Sequence, residues 1–355
     1  MLSFYIVLFI NTLLGYLARI TGSKSKINIF LINPNIIFFL FITTIFIAFS
    51  GLRANTGLDT WMYRHSYDLV VMGMEPGYEP GFNELIKILI KISSDSQIFI
   101  FTTALVTNLF LMMSLKKYAS YYELSIFLYV TSGYYLVTMN GIRQTFTASL
   151  FFYFAIKYML EKKMFHYFIV IFILSFFHNS AKMLYPLYFL AIEKPWSKKI
   201  GLFILISLIG VLSFNSLLGV ASTLSGGYSG YIDNFNEGGA NILRVLVDVV
   251  PIALAFFNRK KLDEEWPESR VFINISLLNL VFMLFSLHNW IFARFSMYLT
   301  LSNLVLLPYI IKNCLSESNS KIIYILCIIF YLIYFYMENS YFGNTVYRSW
   351  ILGIY

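Results

Sequence analysis

Residues 140–163 read NGIRQTFTASLFFYFAIKYMLEKK, and no charged side chain interrupts them between Arg143 and Lys157. The apolar part runs continuously instead of alternating with polar residues, which selects a helix over a barrel strand. Wound at about 1.5 Å per residue, such a stretch comes close to spanning a hydrocarbon core of ~30 Å. One end carries Arg143 and Gln144, the other Lys157, Lys162 and Lys163. A membrane segment with one sparsely charged rim and one basic rim is the unit from which the rest of the chain is read.

Similar apolar stretches lie near 2–18, 34–50, 97–115, 124–139, 144–160, 165–177, 180–192, 200–217, 242–257, 271–287, 294–311 and 321–337. They predict an all-α, polytopic membrane helix bundle of about 12 transmembrane helices, forming a single domain over 1–355. Composition agrees, because 59% of the 355 residues are hydrophobic and 12% charged, about half the charged fraction of a soluble globule. Cys314 and Cys327 have no metal-ligand spacing and no second pair, so neither a disulfide nor a metal site is expected.

Orientation follows from the basic residues. Arg19, Lys24, Lys26, Lys116, Lys117, Lys157, Lys162, Lys163, Lys194, Lys198, Lys199, Arg259, Lys260, Lys261, Arg270, Lys312 and Lys321, 17 of the 26, share one side. Basic loops stay cytoplasmic, which places both termini outside. The formal charge of +8 then belongs to the cytoplasmic rim and not to a nucleic-acid groove. In residues 2–18 the basic residues follow the apolar run, as in an uncleaved first helix.

Two outer loops exceed a tight turn, near 51–96 and 218–241. The first contains EPGYEPG and ends in FNELIKILIKI, where Glu84, Lys87 and Lys91 oppose Leu85, Ile88, Leu89 and Ile92. That pattern predicts a helix lying in the membrane interface. The second, SGGYSGYIDNFNEGG, combines glycine with Tyr228, Tyr231 and Phe235, and reads as a substrate-covering lid or as a plain connector.

Arg53, Asp59, Arg143, His178, Arg244, His288 and Arg294 all fall at the outer ends of spans. A charge costs about 2.5–3.5 kcal/mol at mid-bilayer and less near the ends, so such a gathering calls for a reason. Arg143, beside Gln144, and His178, in FFHNSAK, come towards one level at the ends of consecutive spans. Arg244 and Asp248 are spaced to pair on one helix face, and Arg294 shares a face with Tyr298. Asp59 precedes TWMYRHSY and suits a helix cap. Arg53 is placed to bind Asp59 or a phosphate, while Arg64 and His65 read as the solvated face of the helix that follows. Plainer readings stand beside these: Arg143 as a snorkelling flank, Arg244 and Asp248 as a self-neutralised pair, His178 and His288 as hydrogen-bonded structural residues. No P-loop, HExxH or nucleophile-elbow motif is present, which disfavours energy-coupled transport and nucleotide-dependent synthesis.

The strings GLRANTGLDTWMY at 51–63, NGIRQTFTASLFFYFAIKYMLEKKMFHYF at 140–168, FFHNSA at 176–181 and ARFSMYL at 293–299 resemble the EpsG-like family, grouped with the Wzy-type O-antigen and exopolysaccharide polymerases. The Arg-Gln at 143–144 with the Phe-His at 177–178 is the most specific part. The resemblance implies a GT-C-like fold in the bacterial inner membrane and glycosyl transfer without cofactor or metal. A glycan chain on undecaprenyl pyrophosphate would pass to the next lipid-linked repeat unit at the periplasmic face. Arg53, Asp59, Arg143, His178 and Arg294 would then be site residues, to which the residue-level reading adds Gln144, Arg244 and Tyr298. Guanidinium groups would bind the pyrophosphate oxygens, and His178 or Asp59 would deprotonate the acceptor hydroxyl. Expected partners are undecaprenyl-pyrophosphate-linked oligosaccharides, membrane lipids and a chain-length regulator, flippase and ligase of the same pathway, with no nucleic acid. A lipid-linked oligosaccharide flippase, an O-antigen ligase and a membrane acyltransferase are the competing classes.

Overall fold

Long runs of Leu, Ile and Phe become helices here because hydrocarbon offers the backbone no other hydrogen-bond partners. The computed structural model describes residues 1–24, 34–57, 59–75, 77–214, 239–341 and 346–354. Among them the chain is helical, apart from turns, loops and one isolated bridge between Ser349 and Ile354. Four helices, Leu2–Thr21, Gln97–Tyr118, Ser269–Ser286 and Glu317–Asn339, are long and apolar enough to cross a membrane, and Asn35–Gly51 and Met164–Ser175 are shorter apolar helices.

The other apolar stretches are interrupted, for local reasons. Gly133, at a φ of +82°, divides 124–139 into Tyr122–Thr131 and Tyr134–Asn140. The 144–160 stretch passes through a π turn at Phe151–Ala155, and 180–192 is a 3-10 segment, Asn179–Leu184, followed by the short helix Leu187–Ala191. The 294–311 stretch breaks into Ile291–Ser296, Thr300–Ser302 and Asn303–Tyr309. The proposed lid near 218–241 lies almost wholly outside the described residues.

Phe9, Phe41, Leu212, Phe257 and Phe330 are each more than half exposed on the outer faces of helices, a surface suited to lipid. Inward, Phe46, Tyr129, Tyr135, Phe151, Phe152 and Tyr298 belong to one large core. A smaller core carries the loop near 51–96. Tyr63 and Tyr67 from Thr60–Val71, with Phe82, Ile86 and Leu89 from Pro80–Ile90, pack on Phe99, Ile100, Ile142 and Phe146. The buried face of Pro80–Ile90 is therefore Phe82, Ile86 and Leu89, whereas Ile88 and Ile92, read as part of its apolar side, are 55% and 69% exposed. The C-terminal segment ties back to the same region: Tyr347 stacks on Phe49 at 3.7 Å between ring centroids, and the Ala54 N–H donates to the Arg348 carbonyl at 2.8 Å. Cys314 and Cys327 are free and buried.

Candidate functional site

One backbone contact assembles the site. The Gly81 N–H donates to the Phe176 carbonyl at 2.7 Å, and a Cβ at position 81 would stand 2.8 Å from that oxygen, so a glycine is needed for the two segments to meet. The approach brings Glu79, two residues earlier, to the start of the 3-10 segment. Its Oε1 accepts the Asn179 N–H at 3.1 Å and lies 2.9 Å from His178 Nδ1, while Oε2 takes the Arg143 guanidinium at 2.5 Å. Arg143 also sits over the Tyr78 ring, 4.4 Å from its centroid.

Burial alone would raise the Glu79 pKa, but the hydrogen bonds from His178 and Asn179 and the charge of Arg143 outweigh it and hold the carboxyl at about 2. The group is thus an anion throughout the physiological range. Beside it opens a cavity of about 540 Å³, with Glu79, Arg143, Asn179 and Lys182 among its polar lining and Phe172 and Phe176 among its apolar lining. Lys182 is exposed and forms no ion pair among the described residues. Behind this group, Gln144 Nε2 donates to the Arg294 carbonyl at 2.6 Å, and the hydroxyls of Ser180 and Tyr298 are 3.0 Å apart. The Arg294 guanidinium lies over Trp290, 4.6 Å from the ring centroid.

The structure therefore brings Arg143 and His178 together and sets Gln144, Arg294 and Tyr298 close by. Of all the residues selected from the sequence only Arg143 lines the cavity, and the remaining candidates are placed differently. Arg53 is 1% exposed and donates to the carbonyls of Ser50 and, at 3.0 Å, Met139. Both carbonyls lie in the last turn of a helix, Pro34–Gly51 and Tyr134–Asn140, where unpaired acceptors and the helix dipole attract a cation. This corrects the reading of Arg53 as a ligand of Asp59 or of phosphate. Asp59 does occupy the N-cap position of Thr60–Val71, yet its side chain makes no capping bond, and its backbone N–H donates to Asn140 Oδ1 at 2.9 Å.

Arg64, read as solvated, is 7% exposed and donates to Gln97 Oε1 at 2.6 Å and to the Arg53 carbonyl at 2.9 Å, while His65 stays exposed against Trp61. The Arg244–Asp248 pair does not form. Arg244 reaches Glu338, with Nε at 2.6 Å, and Asp248 accepts from Asn303 Nδ2 at 2.7 Å, since packed neighbours satisfy both groups. His288 stacks on Phe214 at 5.0 Å.

Glu79, Asn179 and Lys182 were not selected from the sequence. The signal for Glu79 was indirect: an Arg and a His held at one level need a counter-charge, and EPGYEPG supplies acids in the adjoining loop. Among the described residues no three His, Cys, Asp or Glu side chains gather as a metal site.

A membrane protein, helical among its described residues, with a charged cavity beside the ends of its helices is the class that fold and site define. The chain belongs to the EpsG family, whose model matches residues 36–351, nearly its whole length. That family is one of Wzy-like polysaccharide polymerases. No curated protein sequence and no solved structure is significantly similar to the chain.

Proposed function

We propose that the chain is a glycosyltransferase that polymerises oligosaccharide repeat units carried on undecaprenyl pyrophosphate, building O-antigen or exopolysaccharide at the periplasmic face of the bacterial inner membrane. The observation that carries this reading is the meeting of Arg143, Glu79 and Lys182 at one cavity with Phe172 and Phe176, and the contact of His178 with the same Glu79 carboxylate. Cations there suit a diphosphate, and Phe172 and Phe176 suit the prenyl chain that bears it. The reading includes a single membrane domain of about twelve spans with both termini outside, supported by the basic residues concentrated on one side.

In the reaction, the acceptor hydroxyl oxygen bonds to the anomeric carbon of the donor as the bond from that carbon to the pyrophosphate oxygen breaks. The lipid pyrophosphate leaves with the electron pair. The hydroxyl proton goes to His178, and Lys182 with Arg143 offsets the negative charge growing on the leaving group. Gln144, Arg294 and Tyr298 support this wall from behind. A flippase, a ligase and a chain-length regulator are the partners such a reaction calls on.

Purified protein supplied with lipid-linked repeat units is expected to give a ladder of glycans and to release undecaprenyl pyrophosphate. Protein that binds the donor, yet gives neither ladder nor released lipid under any condition that keeps it folded, would sink the proposal.

A further inference from the structure

Glu79 contacts both residues on which the polymerase reading most depends, and it does so through different oxygens. We infer that Glu79 is a positioning residue: it fixes His178 with its hydrogen on Nδ1 and so leaves Nε2 as the atom that takes the proton of the acceptor hydroxyl.

An ionised carboxylate can only accept hydrogen bonds. At 2.9 Å from Glu79 Oε1, Nδ1 must therefore carry the hydrogen of the neutral ring. A neutral histidine side chain in water prefers the opposite tautomer, with hydrogen on Nε2, so the contact reverses the default. Among the described residues only Nδ1 has a hydrogen-bond partner, and the side chain keeps 20% of its surface exposed.

The carboxylate is held against rotation. The Asn179 N–H binds Oε1, Arg143 binds Oε2, and the Gly81–Phe176 backbone contact fixes the segment two residues away. Phe82 adds an edge-to-face contact with Phe177 at 6.0 Å, next to His178. Arg143 gives a second effect: its charge favours the ionised carboxylate, so the proton taken up at Nε2 stays on the ring and Glu79 stabilises the imidazolium without receiving it. Carboxylate, imidazole and hydroxyl then stand in the relation that activates a nucleophile on other scaffolds, with a sugar hydroxyl as the third member.

The inference rests on the polymerase reading for its catalytic half and on geometry for its tautomer half, and the two are separable. The chain has four histidines, so full-length protein labelled with nitrogen-15 histidine gives few ring signals, and loss of one pair in His178→Gln assigns His178. At about pH 8.5, where ordinary imidazole is neutral, wild-type His178 is expected as the Nδ1–H tautomer. In Glu79→Gln the ring should shift to Nε2–H or to a mixture. Turnover should fall by about 10³–10⁴-fold, the loss typical when an orienting carboxylate becomes an amide, with the donor KM nearly unchanged. Glu79→Asp, which keeps the charge, should recover part of both signals.

An Nε2–H His178 in the wild type overturns the inference without any variant. So does a tautomer indifferent to Glu79→Gln, or full turnover in that variant. A wild-type protein with the expected tautomer but no transfer from any lipid-linked donor removes the polymerase reading instead and leaves the Glu79–His178 pairing in place.

Discussion

If Arg143 acts first on Glu79, its removal should be felt as the loss of a pair and not of a single side chain. The guanidinium is 25% exposed and the carboxylate 14%, so water screens the contact only in part. Unit charges ~4 Å apart at an effective dielectric of about 20 attract by ~4 kcal/mol. Desolvation of both groups takes back a large share, which leaves about 1.5–3 kcal/mol, the usual net value of a hydrogen bond to a charged group. That range is the coupling expected from a cycle of Arg143→Ala, Glu79→Ala and the double variant. Arg143→Ala alone should cost about 3 kcal/mol or more, because it leaves a half-buried anion short of its main counter-charge. Adding Glu79→Ala should then cost little. The assay is unfolding of the purified proteins in one detergent, followed by a tertiary-structure signal. Additive effects, with coupling below about 0.5 kcal/mol, refute the reasoning and return Arg143 to a flanking residue independent of Glu79.

Arg53→Ala should remove the side-chain donor to the Ser50 carbonyl and one of the two donors to the Met139 carbonyl, which keeps the Thr60 hydroxyl, and destabilise by about 1–3 kcal/mol, with the donor KM of the surviving protein unchanged; a raised KM at unaltered stability would make Arg53 a substrate ligand after all. The depressed Glu79 pKa, about 2 against an ordinary 4.5, sets the sign of a pH effect: its contribution to stability is complete above 4.5 and is lost as pH falls through 2. The lead of wild type over Glu79→Gln in unfolding midpoint should be flat near neutrality and shrink in that acid window, and a lead that grows on acidification contradicts the assignment. For orientation, Met74→Cys and Lys260→Cys both introduce exposed thiols. In spheroplasts an impermeant reagent should label the first and not the second, and the reverse pattern would turn the cavity to the cytoplasm.

The charges read from the sequence divide by what surrounds them on folding. Arg143 and His178 were legible as neighbours because each sits at the end of an apolar run, and consecutive runs must return to the same rim. Arg53 satisfies the same rule and yet turns inward, because it follows directly on the C-terminal turn of Pro34–Gly51, whose free Ser50 carbonyl captures it. An end-of-span arginine is thus ambiguous until its neighbours are considered: Arg143 also follows closely on Tyr134–Asn140, but the Met139 carbonyl of that last turn is already taken by Arg53 and Thr60, and Arg143 reaches across to an acid. Arg244 shows a second ambiguity, since its spacing to Asp248 is correct for a pair but Glu338 and Asn303 arrive from other helices. The hub itself was hidden by distance. Glu79 is 64 residues from Arg143 and 99 from His178, and it lies in a Pro/Gly loop whose neighbours Glu75 and Glu84 have the same charge. Glu75 also has a glycine two residues on, but Gly77 has open space around it, whereas at Gly81 the backbone approaches Phe176 closely enough to deliver a carboxylate to His178. The counter-charge follows from chemistry, but its address depends on a backbone contact that no charge pattern records.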